Sequence, residues 1–150
     1  MKSFFRMMAA VLALPLGGAS ALAGDYAVIV NAKNPVSDGG AETRNLIKRI
    51  YLKEITAWVN GVETQPLARE AGSAVQTAFH AKVLEMSESA VNEHWLRLKQ
   101  TKGETPPREV GSSLILFRLV GKYEGSFAAV TAEEAAAAPP EVKVLFTFSD

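Results

Sequence analysis

Apolar residues along the chain alternate between short β-branched runs and helical stripes, and their order predicts an α/β domain. Tyr26 to Asn31, YAVIVN, is bounded by a loop carrying Asn34-Pro35 and Asp38-Gly39-Gly40 and reads as a strand covered on both sides. From Ala41 to Tyr51 the positions Leu46, Ile47 and Ile50 recur at helical spacing. Glu42 near the start and Lys48 and Arg49 near the end suit the helix dipole. A turn-rich connector follows, with the tight-turn dipeptide Asn60-Gly61, and Pro66 to Ala68 forms a short strand that delivers Arg69 to its end. The next helix spans about Ser73 to Leu84 with Val75, Ala78, Phe79 and Val83 on one face, and Ser87 caps another whose face is Val91, Trp95 and Leu98.

KGETPPR, residues 102–108, must be a loop because two prolines cannot continue a helix. SSLILFRLV, residues 112–120, fits helix or strand by periodicity alone and is assigned to a helix ending near Gly125. Phe127 to Val130 reads as a strand. Thr131 and Glu134 have capping-box spacing before an alanine run that Pro139-Pro140 terminates. Val142, Val144, Phe146 and Phe148 alternate, which predicts a last strand with one face buried. Strands interleaved with helices, without long hairpins, predict a mostly parallel sheet flanked by helices. Its core is expected to include Ile29, Ile47, Ile50, Phe79, Trp95 and Leu116.

The first 23 residues have a different character. Lys2 and Arg6 precede an apolar run from Met7 to Leu16, too short to span a bilayer, and Ala21-Leu22-Ala23 is an A-x-A cleavage pattern. The reading is a secretory signal peptide at residues 1–23, with a retained anchor as the alternative, and one exported domain at residues 24–150 in a bacterial periplasm. Without Lys2 and Arg6 the 16 basic residues fall to 14 against 16 acidic ones, so no global field draws nucleic acid or anionic lipid. With no cysteine, disulfides and thiolate-metal sites are excluded.

Little of the remaining chemistry forms a catalytic pattern. His80 and His94 lack the i, i+4 spacing that puts two imidazoles on one helical face, and they read as partly exposed histidines with no metal between them. No G-x-S-x-G elbow is present and nothing places a base beside a nucleophile, so no enzymatic activity and no cofactor are expected. Trp58 and Trp95 have no basic stretch interleaved with them, which excludes base stacking on nucleic acid. PLAREAGSAVQTAFHAKV is the stretch of interest. Its arginine stands three residues before a Gly-Ser pair that opens a helix, where unpaired N–H groups accept an oxyanion or a capping serine equally well.

VIVNAKNP, IKRIYLKEITAWVNG, PLAREAGSAVQTAFHAKVL, WLRLKQTKGETPP and GSFAAVT together resemble, in order and spacing, the PstS-like phosphate-binding proteins of bacterial ABC transporters. The likeness covers about the whole exported chain but only one lobe of those two-lobed proteins. It implies a single lobe of a type II periplasmic binding protein-like fold and an anion site at the family's R-x-D-G-S-G-T turn. Arg69 matches the arginine, Gly72 the first glycine and Ser73 the serine, and the backbone N–H groups of Ser73, Ala74 and Val75 complete the implied site. Ala71 replaces the aspartate that accepts a hydrogen bond from a protonated phosphate oxygen. Ala74 replaces the second glycine, Val75 the threonine, and Lys53 the glycine of IYLGKI.

Two functions follow. In one, the lobe binds phosphate or a similar small oxyanion weakly through Arg69 and the helix start. In the other, it is a non-catalytic interaction or scaffold protein, Ser73 is only a cap, and Arg69 pairs with a carboxylate such as Glu70 or Glu42. The partners implied are a membrane protein or a second copy, which would rebuild a two-sided cleft.

Overall fold

The computed structural model describes residues 25–150, so the leader expected at residues 1–23 lies outside the described residues. The strands are β1 (Asp25–Asn31), β2 (Gln65–Ala68), β3 (Arg108–Glu109), β4 (Ser126–Thr131) and β5 (Val142–Ser149). The helices are α1 (Ala41–Tyr51), α2 (Ala74–Phe79), α3 (Glu88–Lys102), α4 (Ser113–Lys122) and α5 (Ala132–Ala136), with α2 running on into a π-helical turn at His80–Leu84. The sheet order is β3-β2-β4-β1-β5. β2 is parallel to β3 and β4, while β1 runs antiparallel to both β4 and β5. Every strand but β1 therefore points the same way, and the sheet is mostly parallel in direction with one inverted interior strand.

Pleating sends alternate side chains of β1 to opposite faces, and both faces are covered. Tyr26, Val28 and Val30 meet Ile47, Ile50, Phe79 and Trp95 beneath α1, α2 and α3. Ala27 and Ile29 meet Leu116, Phe117 and Val120 of α4. All six expected core residues are buried. The 112–120 segment, ambiguous by periodicity, is helical: Ser112 caps it, and Leu116, Phe117 and Val120 fall on one stripe.

Three expectations need correction. β5 does not keep one buried face, because a bulge opposite Val28/Ile29 shifts its register. Val142 packs toward α4, Val144 is 46% exposed, and Leu145, Phe146 and Phe148 pack toward α1 and α2. The proline loop ends in a strand: Arg108 pairs with Leu67 and Glu109 with Ala68, extending the sheet by the two residues of β3. His80 is buried, for a reason given below.

The outer edge of β5 is shielded by the preceding loop and α1. Lys143 donates to the Asn34 carbonyl, Arg44 donates to the Thr147 carbonyl, and Gly39 lies so close that an added Cβ would strike the Leu145 carbonyl oxygen.

Candidate functional site

β2 ends at Ala68, and the pleat decides where Arg69 goes. Ala68 packs on the α1/α2/α3 side and Leu67 on the α4 side, so the Arg69 side chain turns to the α4/α5 side. There it is buried, at 8% exposure. Its Nε donates to the Val110 carbonyl at 3.2 Å. Nη1 donates to the Ala129 carbonyl at 3.3 Å and to Glu134 Oε1 at 2.8 Å. Nη2 donates to the Gly111 carbonyl at 3.2 Å and to Glu134 Oε2 at 3.0 Å. A guanidinium has five N–H donors, and all five are matched. The carboxylate partner is neither Glu70 nor Glu42 but Glu134, paired through both oxygens.

Glu134 is held in turn by its own helix start. Thr131 caps α5 through a complete capping box: the Glu134 N–H donates to Thr131 Oγ1, and the Thr131 N–H donates to Glu134 Oε1. Burial pushes the Glu134 carboxyl up, but hydrogen bonds from Arg69 and Thr131 and the guanidinium charge outweigh it and leave the pKa below the ordinary glutamate value. Arg69 thereby ties β2, β4, α5 and the segment after β3 together.

The turn after Arg69 has its own geometry. Gly72 sits at φ +80°, a left-handed conformation that costs glycine little. Ser73 N–H donates to the Glu70 carbonyl, Ala71 N–H donates to Glu109 Oε1, and Ser73 Oγ caps the helix by accepting from the Gln76 N–H at 3.3 Å. The N–H groups of Ala74 and Val75 have no acceptor among the described residues, as expected at a helix start. The structure thus places Gly72, Ser73, Ala74 and Val75 together at the turn, while the Arg69 guanidinium is spent beneath α5.

A buried polar chain lies on the other side of that turn and was not anticipated. Gln76 is 4% exposed, and its Oε1 accepts from the Arg69 backbone N–H at 2.8 Å. That bond fixes the amide, so Nε2 donates to the Tyr51 hydroxyl at 2.9 Å and to His80 Nε2 at 2.7 Å. His80 Nδ1 then carries its proton toward Glu88 Oε1, 2.6 Å away. This chain explains why His80 is buried. It borders a cleft of about 230 Å³ that Trp95, Pro106 and Glu109 also line. Burial pushes the Tyr51 phenol up to about 12; the Gln76 hydrogen bond opposes the rise and the Glu109 and Glu88 charges add to it. His94, by contrast, is partly exposed, with Nε2 2.9 Å from the Leu52 carbonyl. The i, i+4 spacing of Gln76 and His80 was the sequence signal available for this network.

The fold is a single α/β lobe, and solved structures share it. No protein-family model matches the sequence, and no curated protein does. Among solved structures, the chain is similar to an ABC-type phosphate transport receptor from Vibrio cholerae, at 19% identity and TM-score 0.60, covering 81% of this chain and 46% of that one. A putative phosphate ABC transporter substrate-binding protein with bound phosphate from Clostridium perfringens is similar at 20% identity and TM-score 0.60, covering 81% and 45%. PstS from Borrelia burgdorferi is similar at 11% identity and TM-score 0.57, covering 81% and 47%. The chain spans under half the length of each.

Proposed function

We propose that the chain is an exported, non-catalytic interaction lobe of the solute-binding-protein kind, in which Arg69 is a structural joint rather than an open phosphate receptor. The observation that supports this reading is the Arg69 guanidinium, whose five donors are all engaged and whose fork is closed by Glu134. An oxyanion reaching Arg69 would have to displace that carboxylate. Breaking a fully buried ion pair costs about 3–5 kcal/mol, an upper bound for this partly buried one, and it compares with the roughly 4 kcal/mol that a millimolar complex represents. The displaced carboxylate would also stay nearby as a like charge. Calorimetric titration with phosphate and sulfate tests the reading. No saturable binding is expected up to tens of millimolar, and saturable binding centred on Arg69 overturns it.

A second reading, weak oxyanion capture at the helix start, is favoured by the unpaired N–H groups of Ala74 and Val75 beside Ser73 and by the phosphate receptors that share the fold. Phosphate titration followed by amide NMR shifts separates the two. Saturating shifts confined to Gly72, Ser73, Ala74 and Val75 would support capture.

A further inference from the structure

α4 buries Leu116, Phe117 and Val120, yet it turns Leu114 outward at 74% exposure and Ile115 at 46%, and Tyr123 just past its end is 37% exposed. These three are half of the six large apolar side chains exposed among the described residues, so the uncovered apolar surface is concentrated on one element. Beside them a groove of about 400 Å³ runs between α4 and the turn ahead of β5, lined chiefly by Leu114, Phe117, Gly121, Ala137 and Pro139. Its lips carry opposite charges, Arg118 on the helix and Glu141 on the turn. Neither has an ion-pair partner among the described residues.

We infer that this face forms a two-fold homodimer in which the α4 helices cross antiparallel, Leu114 of each copy fills the other's groove, and Arg118 of each meets Glu141 of the other. Opposite charges on the two lips make the patch self-complementary, because under a two-fold rotation residue i meets j while j meets i. The spacing agrees. Leu114 and Gly121 are about two helical turns apart, so an antiparallel crossing sets one copy's Leu114 over the other's Gly121 end. Glu141 is held at that end, so close that a Cβ on Gly121 would come within 3.0 Å of the Glu141 Cβ. Arg118 lies about 6 Å along the helix from Leu114, a gap an arginine side chain spans. Sixteen basic and sixteen acidic residues leave no net charge to oppose self-association.

Sedimentation velocity over a dilution series from millimolar concentration tests the interface. The expected result is a monomer–dimer equilibrium that Leu114→Asp weakens at least tenfold with no fall in melting temperature. Arg118→Glu and Glu141→Arg should each weaken it, and the two together should restore it. The inference is overturned by a monomer throughout, by a dimer indifferent to Leu114→Asp, or by a charge-exchanged double variant no tighter than the single ones.

Discussion

Arg69→Ala should unfold this domain more readily than any exposed substitution, because the change removes five hydrogen bonds and strands a carboxylate. The resemblance alone implies the opposite, a ligand arginine at a strand end that the fold can lose. In the structure its loss leaves the Val110, Gly111 and Ala129 carbonyls without their guanidinium donors and leaves Glu134 with only its Thr131 N–H. Removing one partner of a fully buried ion pair costs about 3–5 kcal/mol, and because the Glu134 carboxylate is only partly buried that range is the upper bound here. That is a large share of the roughly 5–15 kcal/mol by which a whole domain is stable. At about 3–4 °C per kcal/mol for a domain of this length, the melting temperature should fall by up to about 10–20 °C. Glu134→Gln should cost less, about 1–3 kcal/mol, because a neutral amide keeps part of the hydrogen bonding. Acid adds a second readout. The Glu134 pKa is lowered on folding, so its contribution is present above the ordinary glutamate value and is lost as pH falls through the depressed one. Urea denaturation at stepped pH should show wild-type stability declining below about pH 4.5, with Glu134→Gln lacking that component of the decline. A loss under 1 kcal/mol for Arg69→Ala, accompanied by lost phosphate binding, would refute the reasoning and restore the ligand role.

Ser73→Ala removes a cap of modest geometry and should cost about 0.5–1 kcal/mol in thermal melts. Gly125→Ala should prevent native packing, seen as lost near-ultraviolet dichroism, because the added Cβ would overlap the Glu63 carbonyl oxygen where β2 begins. Ultraviolet titration of the tyrosines should find one phenol, absent in Tyr51→Phe, ionising near pH 12 rather than 10, with its contribution to stability present below pH 10 and lost as pH rises through 12. N-terminal sequencing of the exported protein should begin at Gly24, and an intact Met1 in membranes would refute the leader reading.

Most of the fold was legible because it rests on local pattern. The β-branched run of β1, the stripe of α1, the serine caps and the Thr131–Glu134 box all announce themselves within a few residues. What stayed hidden depends on pairs far apart in sequence. Glu134 was legible as a local capping residue, but nothing near it shows that the same carboxylate accepts from Arg69, 65 positions earlier. The burial of His80 depends on Gln76, whose amide is oriented by the Arg69 backbone N–H just past the end of β2. The bulge in β5 breaks a perfect alternation because the strand serves two cores, and β3 is too short to leave any periodicity.

The inverted interior strand bears on when the domain can fold. β1 precedes the other described elements, yet both of its sheet neighbours, β4 and β5, are the last two described strands. At about 5–20 residues per second, the interval between making β1 and making β5 is on the order of 10 s. Until β4 is made, β1 has no hydrogen-bonding neighbour, and the two pairings it needs carry large loop-closure costs. No nascent fragment lacking β5 can bury β1 on both edges. The sheet closes only once β5 has been made, so β1 keeps an open edge that a chaperone can cover until then.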